Sequence, residues 1–224
     1  MDLPTAPSYG FWTTAFAFLF TAILVGAQPV GAAPKAELWA KWQAHDPNER
    51  ATIDHREWDR FLSAHVEVGA DGVTRIRYGE IATSDRPVLD NYISSLAMVR
   101  ISRFARATQM AYWINLYNAL TERTVIDHYP VATILDIDIS PGLFSNGPRG
   151  KKLVVVESEQ LSLDDIEHQI LRPIWKDARI HYVVNCASIG CPNLASGAYS
   201  ADRLEEMLVA AARDYVNHPW RGIR

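Results

Sequence analysis

Two cysteines, Cys186 and Cys191, lie five positions apart in "HYVVNCASIGCPNL", between an apolar run and a Gly-Cys-Pro turn. Around them the chain carries polar residues that composition does not explain: Asn115, Asn118, Glu167, His168, His181 and Asn185. A working cysteine needs a base to take its proton, a group to orient that base, and amide donors for a developing oxyanion. This set can supply each part. Cys186 is the favoured nucleophile, His168 or His181 the base, Glu167 or Asn185 the orienter, and Asn118, with Asn115 one turn away, the amide donor. Cys191 precedes Pro192, a residue suited to the first helical position, where a helix amino end lowers a thiol pKa.

The same residues have structural readings. A bridge between Cys186 and Cys191 would close a short loop and contribute only about 2 kcal/mol in the chain-entropy model, shaping the loop more than stabilising the fold. The two asparagines sit on a mostly apolar helix, and burying their amides costs several kcal/mol unless they hold neighbouring loops. A metal clip ranks last, because no Cys-x-x-Cys pair or clustered histidine spacing is present. No metal or cofactor is expected.

The elements that must position these residues follow from periodicity. "TQMAYWINLYNALTERTVIDHY" predicts a long helix over 108–129, ended by Pro130. In "LSLDDIEHQILRPIW", Ser162 and Asp165 form a capping box and Leu161 with Ile166 a hydrophobic staple, opening a helix on which Glu167 and His168 stand about 100° apart. "ARIHYVVN" alternates and predicts a strand over 179–186 that delivers Cys186 into a cleft, and "VATILDIDI" suits a strand or edge. A further strand is expected over 153–156, another around Val73–Tyr78 after the Asp71-Gly72 turn, and helices over 36–45, after an Asp54 cap with Glu57, through Leu89–Val99, and after a Ser200 cap. The spacing of Asp46, Asn48, Thr52, Asp54 and Glu57 resembles a calcium loop, but Arg50 and Ala51 stand where an oxygen ligand and a glycine are needed. Together these elements predict an α+β domain, helix-rich and packed on a small, mainly antiparallel sheet holding 153–156 and 179–186.

Composition sets the outer limits. The chain has 224 residues, 48% hydrophobic and 21% charged, with net charge −4 and no basic block longer than a pair, so nucleic acid is not an expected partner. The apolar run Phe11–Ala27, followed by small residues near Val30-Gly31-Ala32, predicts a signal peptide over 1–32, or a membrane anchor at 11–27 if it stays uncleaved. Residues 33–224 then form a single globular domain outside the cytoplasm, periplasmic or secreted, where a disulfide is permitted. Membrane contact is expected only through the N-terminal segment.

Three stretches in this order, "AYWINLYNAL", "SLDDIEHQILR" and "RIHYVVNCASIGCPNL", preceded by "VTRIRYGEI", resemble the domain-of-unknown-function family 547. The resemblance covers about Trp58 to Arg224. By position it marks Trp113, Asn115, Tyr117, Asn118, Glu167, His168, His181, Cys186, Cys191 and Pro192 as motif residues. It implies an exported, stand-alone domain of bacterial type. Some eukaryotic members carry the domain beside a glutaredoxin module, which leans towards thiol chemistry. Similar proteins continue past "NHPWRGIR" with further strand and helix, so terminal elements are expected beyond Arg224. Three functions therefore stand side by side: a cysteine-dependent hydrolase or transferase, a non-catalytic envelope protein binding a small molecule or peptide with its cysteines bridged, and a thiol–disulfide exchange protein.

Overall fold

A computed structural model describes residues 35–142 and 147–222. Residues 1–32, expected to be a signal peptide or anchor, lie outside the described residues, and among these no helix is long and apolar enough to cross a membrane. The architecture is α+β: α1 (Arg56–His65), the antiparallel ribbon β1 (Val66–Val68) and β2 (Thr74–Ile76), α2 (Asp85–Ala97), α3 (Arg106–His128), a second antiparallel ribbon of β3 (Val154–Val156) and β4 (Glu159–Leu161), α4 (Arg172–Trp175) and α5 (Leu204–Val216).

Helix α3 is the axis. From Thr108 to Val125 almost every side chain is buried, whichever way it points, as in a helix that neighbours surround on all sides. Tyr112, Trp113, Leu116, Tyr117 and Leu120 fill the core between α2 and the segment 161–171. Trp42 meets Trp113 edge to face at 5.0 Å, and Trp58 stacks on Tyr92 at 5.9 Å. The helix ends at His128, before Pro130, because proline has no N–H and its ring disfavours helix in the residue before it.

The turn at Asp71-Gly72 forms as expected, with Gly72 at φ 76° and the register Val66 to Ile76. The Ser162–Asp165 capping box forms too: Asp165 accepts from the Ser162 backbone N–H at 2.7 Å, and the Asp165 N–H donates to the Ser162 hydroxyl at 3.2 Å.

Several expectations need correction. Residues 179–186 are not a strand; Ala178–Tyr182 is a 3-10 turn opened by Asp177, which accepts from the Arg179 N–H. The backbone groups that a sheet would need, the Val183 carbonyl and the Asn185 N–H, are both bonded to the Asn118 side chain at 2.9 Å. The segment "VATILDIDI" likewise holds a 3-10 turn, Ile134–Asp136, fixed by a Thr133–Asp136 capping box. The helix expected over 36–45 is reduced to the 3-10 turn Ala40–Gln43, as the Glu37 and Trp39 N–H groups pair with the carbonyls of His168 and Gln169. No helix begins at Pro192. At the helix starts, Asp54 accepts from the Arg56 N–H at 3.0 Å in an Asx turn ahead of α1, and α5 opens at Leu204, one turn past Ser200.

The segment Asp165–Leu171 is wound as a π-helix rather than an α-helix. Its wider turn aligns residues five apart. The Arg172 N–H donates to the Glu167 carbonyl, and the Arg172 guanidinium reaches the Glu167 carboxylate at 2.6 Å.

Candidate functional site

Cys186 and Cys191 are joined in a disulfide, with their Cα atoms 6.0 Å apart. The loop they close is held from several sides. Asn185 accepts from the Ala187 N–H and donates to the Pro192 carbonyl, both at 2.7 Å, and so ties one end of the loop to the other. Asn118, from α3, holds Val183 and Asn185 in front of it. Tyr215 donates to the Gly190 carbonyl at 3.1 Å and Arg221 to the Cys191 carbonyl at 2.7 Å. Ala187 adopts φ 51°, in the left-handed region that a residue with a Cβ enters only when its surroundings impose it.

Asn115 does for another loop what Asn118 does here. It donates to the Tyr199 carbonyl at 2.8 Å and accepts from the Tyr199 N–H at 2.9 Å. Asn193 joins the β1–β2 ribbon to α5 by accepting from the Thr74 N–H and donating to the Gly72 carbonyl and the Asp214 carboxylate. Each buried amide thus meets the hydrogen-bonding demand that burial imposes.

Glu167 is buried and fully engaged. Its carboxylate accepts from Arg149 at 2.6 Å, from Arg172 at 2.6 and 3.0 Å, and from the Tyr117 phenol at 3.2 Å. Burial opposes its ionisation, but Arg149 and Arg172 outweigh that cost and hold the carboxyl below its ordinary range. Burial keeps the neighbouring His168 neutral by lowering its pKa; its Nε2 lies 3.9 Å from the Glu167 carboxylate without a hydrogen bond. His181 is exposed, 3.4 Å from the Arg172 guanidinium and edge-on to Tyr182. Among the described residues neither histidine hydrogen-bonds to a cysteine sulfur. Cys186, Tyr117 and Arg149 do share the wall of a cavity of about 220 Å³, which Glu167 and the two histidines do not line.

A second pocket, about 290 Å³, opens between the β1–β2 ribbon, α3 and the other side of the disulfide loop. Val73, Ile76 and Leu194 make its apolar wall, and Ala187, Ser188 and Ile189 from the bonded loop make part of its rim. Glu122 lines it. This side chain is 1% exposed, and the hydrogen bond it accepts is from the Tyr78 phenol, at 2.5 Å. Burial pushes the Glu122 carboxyl up to about 7, only partly offset by Tyr78. The Tyr78 phenol is pushed up as well, by burial and by Glu122. A carboxyl that titrates near neutrality inside a concave pocket is the kind of group that binding and acid–base sites use.

Glu122 lies outside the quoted motifs, and Tyr78 lies within "VTRIRYGEI", expected there as a strand residue with no site role. The signal for Glu122 was present as spacing: Asn115, Asn118 and Glu122 are i, i+3 and i+7, one stripe of α3. Extending the asparagine pair by a turn finds the glutamate.

Comparison with known proteins agrees with the motif resemblance. The family model described as "Protein of unknown function, DUF547" matches residues 101–216, and the chain belongs to that family. No curated protein and no solved structure matches the chain.

Proposed function

We propose that this family member is an exported, non-catalytic binding protein whose Cys186–Cys191 bridge shapes the rim of a small-molecule pocket. The observation that carries the reading is the double role of the bonded loop: the disulfide closes it, and its residues 187–189 wall the pocket that Glu122 lines. A bridge that contributes so little to overall stability has its use in loop geometry. Structural disulfides persist in oxidising compartments, in keeping with a periplasmic or secreted location.

The engaged side chains support the same reading. A cysteine-dependent hydrolase or transferase needs a thiolate at Cys186 with a histidine in reach. Here the sulfur is bonded, Asn115 and Asn118 spend both ends of their amides on backbone, and Glu167 is committed to two arginines.

The test is the thiol state of protein exported through an oxidising compartment. Iodoacetamide at pH 8 followed by intact-mass measurement is expected to add nothing to the native protein, and two adducts after reduction and unfolding. A single adduct without reduction overturns the staple and restores Cys186 as a nucleophile. A bridge that glutathione opens and recloses in the folded protein overturns it in favour of thiol–disulfide exchange.

A further inference from the structure

Buried carboxylates elsewhere in this protein come with cations. Asp165 has Lys152 at 2.5 Å, and Glu167 has Arg149 and Arg172, each at 2.6 Å. Glu122 is more deeply buried than either, yet among the described residues no Lys, Arg or His lies within 4.0 Å of it; its partner is the neutral Tyr78 phenol. An ionised carboxylate at that depth lacks the counter-charge that burial demands. Arg75 also lines the pocket, but its guanidinium is held by Asp71 through bonds of 2.9 and 2.7 Å. The hydroxyl of Thr74, another lining residue, is buried and has no hydrogen-bond partner.

We infer that the Glu122 pocket takes a small organic cation, an ammonium group on a short apolar body, with Glu122 as its counter-ion. The inference rests on the ligand-binding reading and names its ligand class. The ammonium supplies the missing positive charge and an N–H donor for the Glu122 carboxylate. The Tyr78 phenol lines the pocket beside Glu122, to which it donates at 2.5 Å. Val73, Ile76, Ile189 and Leu194 suit a short alkyl body, and about 290 Å³ leaves room for only a few carbons beside the head group. An anionic ligand would face Glu122 without compensation.

Three probes of nearly equal size decide it: n-butylammonium, 1-butanol and butyrate, titrated at pH 8 against the full-length protein carrying 13C-labelled glutamate. The expected result is that n-butylammonium alone moves the Glu122 carboxyl resonance, and that Glu122→Gln weakens its binding at least tenfold, read on the ligand signals. Ser188→Trp, at the exposed rim, is expected to abolish binding while leaving the fold intact by circular dichroism. If butanol or butyrate moves the resonance in place of the ammonium ion, the cation assignment falls and ligand binding stands. If Glu122→Gln binds n-butylammonium as wild type does, the counter-ion role falls. If none of the three moves any pocket resonance, the pocket is not a binding site and the reading beneath falls with it.

Discussion

Glu167 and Glu122 are both glutamates taken out of water, and their surroundings send them in opposite directions. Glu167 belongs to a recognisable motif and meets two guanidiniums and a phenol, so it stays ionised and serves as the hub of an ion network. Glu122 belongs to no motif, meets one phenol and an open pocket, and titrates near 7. The difference lies in what each carboxylate has left to offer. A carboxylate with all its acceptor sites filled holds a fold together, whereas one short of a counter-charge can still bind something.

Breaking Glu167 tests that contrast most severely. Glu167→Ala takes the carboxylate from Arg172 and leaves Arg149 with Asp164 alone, and loss of one side of a buried ion cluster costs about 3–5 kcal/mol; with both arginines about a third exposed, about 3–4 kcal/mol is expected in urea unfolding at pH 7. A loss below about 1 kcal/mol would demote the network to surface decoration.

Glu122→Gln is expected to act with the opposite sign. The folded carboxyl titrates at about 7 against an ordinary 4.5, so the fold prefers the neutral acid. That preference is fully present below about pH 4.5, is lost as pH rises through 7, and stays lost above. The glutamine variant, always neutral, should match wild type at pH 4 and exceed it by about 3 kcal/mol at pH 8. Urea midpoints at the two pH values check it, and equal differences at both would contradict it.

Asn118→Ala removes partners from the buried Val183 carbonyl and the Asn185 N–H. About 2–3 kcal/mol of stability should go, together with protection of the Asn185 amide in hydrogen exchange. The smallest effect belongs to the staple. Replacing both cysteines by serine is expected to cost about 2 kcal/mol or less, because the loop is also held by Asn185, Tyr215 and Arg221.

Much of the scaffold could be read from the residues. The helix around Tyr112–Leu120 announces itself by unbroken apolar periodicity, and Ser162 with Asp165 names its own capping box. The segment 179–186 could not, because its alternation describes side chains while its backbone is claimed by Asn118 from sixty-odd residues away. The π-wound turn at 165–171 leaves no mark in residue types, although the five-residue step from Glu167 to Arg172 is its consequence. The motif cysteines and asparagines were rightly conspicuous, and their partners turned out to be one another and the backbone. Glu122 was hidden because "LTERTVID" looks like the charged face of any surface helix. Only the packing of the β1–β2 ribbon and the disulfide loop over that turn makes it a buried acid.

The most direct test is a carboxyl 13C titration of labelled glutamates in the folded protein. The account predicts a midpoint near 7 for Glu122, and for Glu167 a carboxylate that stays ionised to lower pH than an ordinary glutamate. A Glu122 midpoint near 4.5, equal to that of an exposed glutamate, would contradict it.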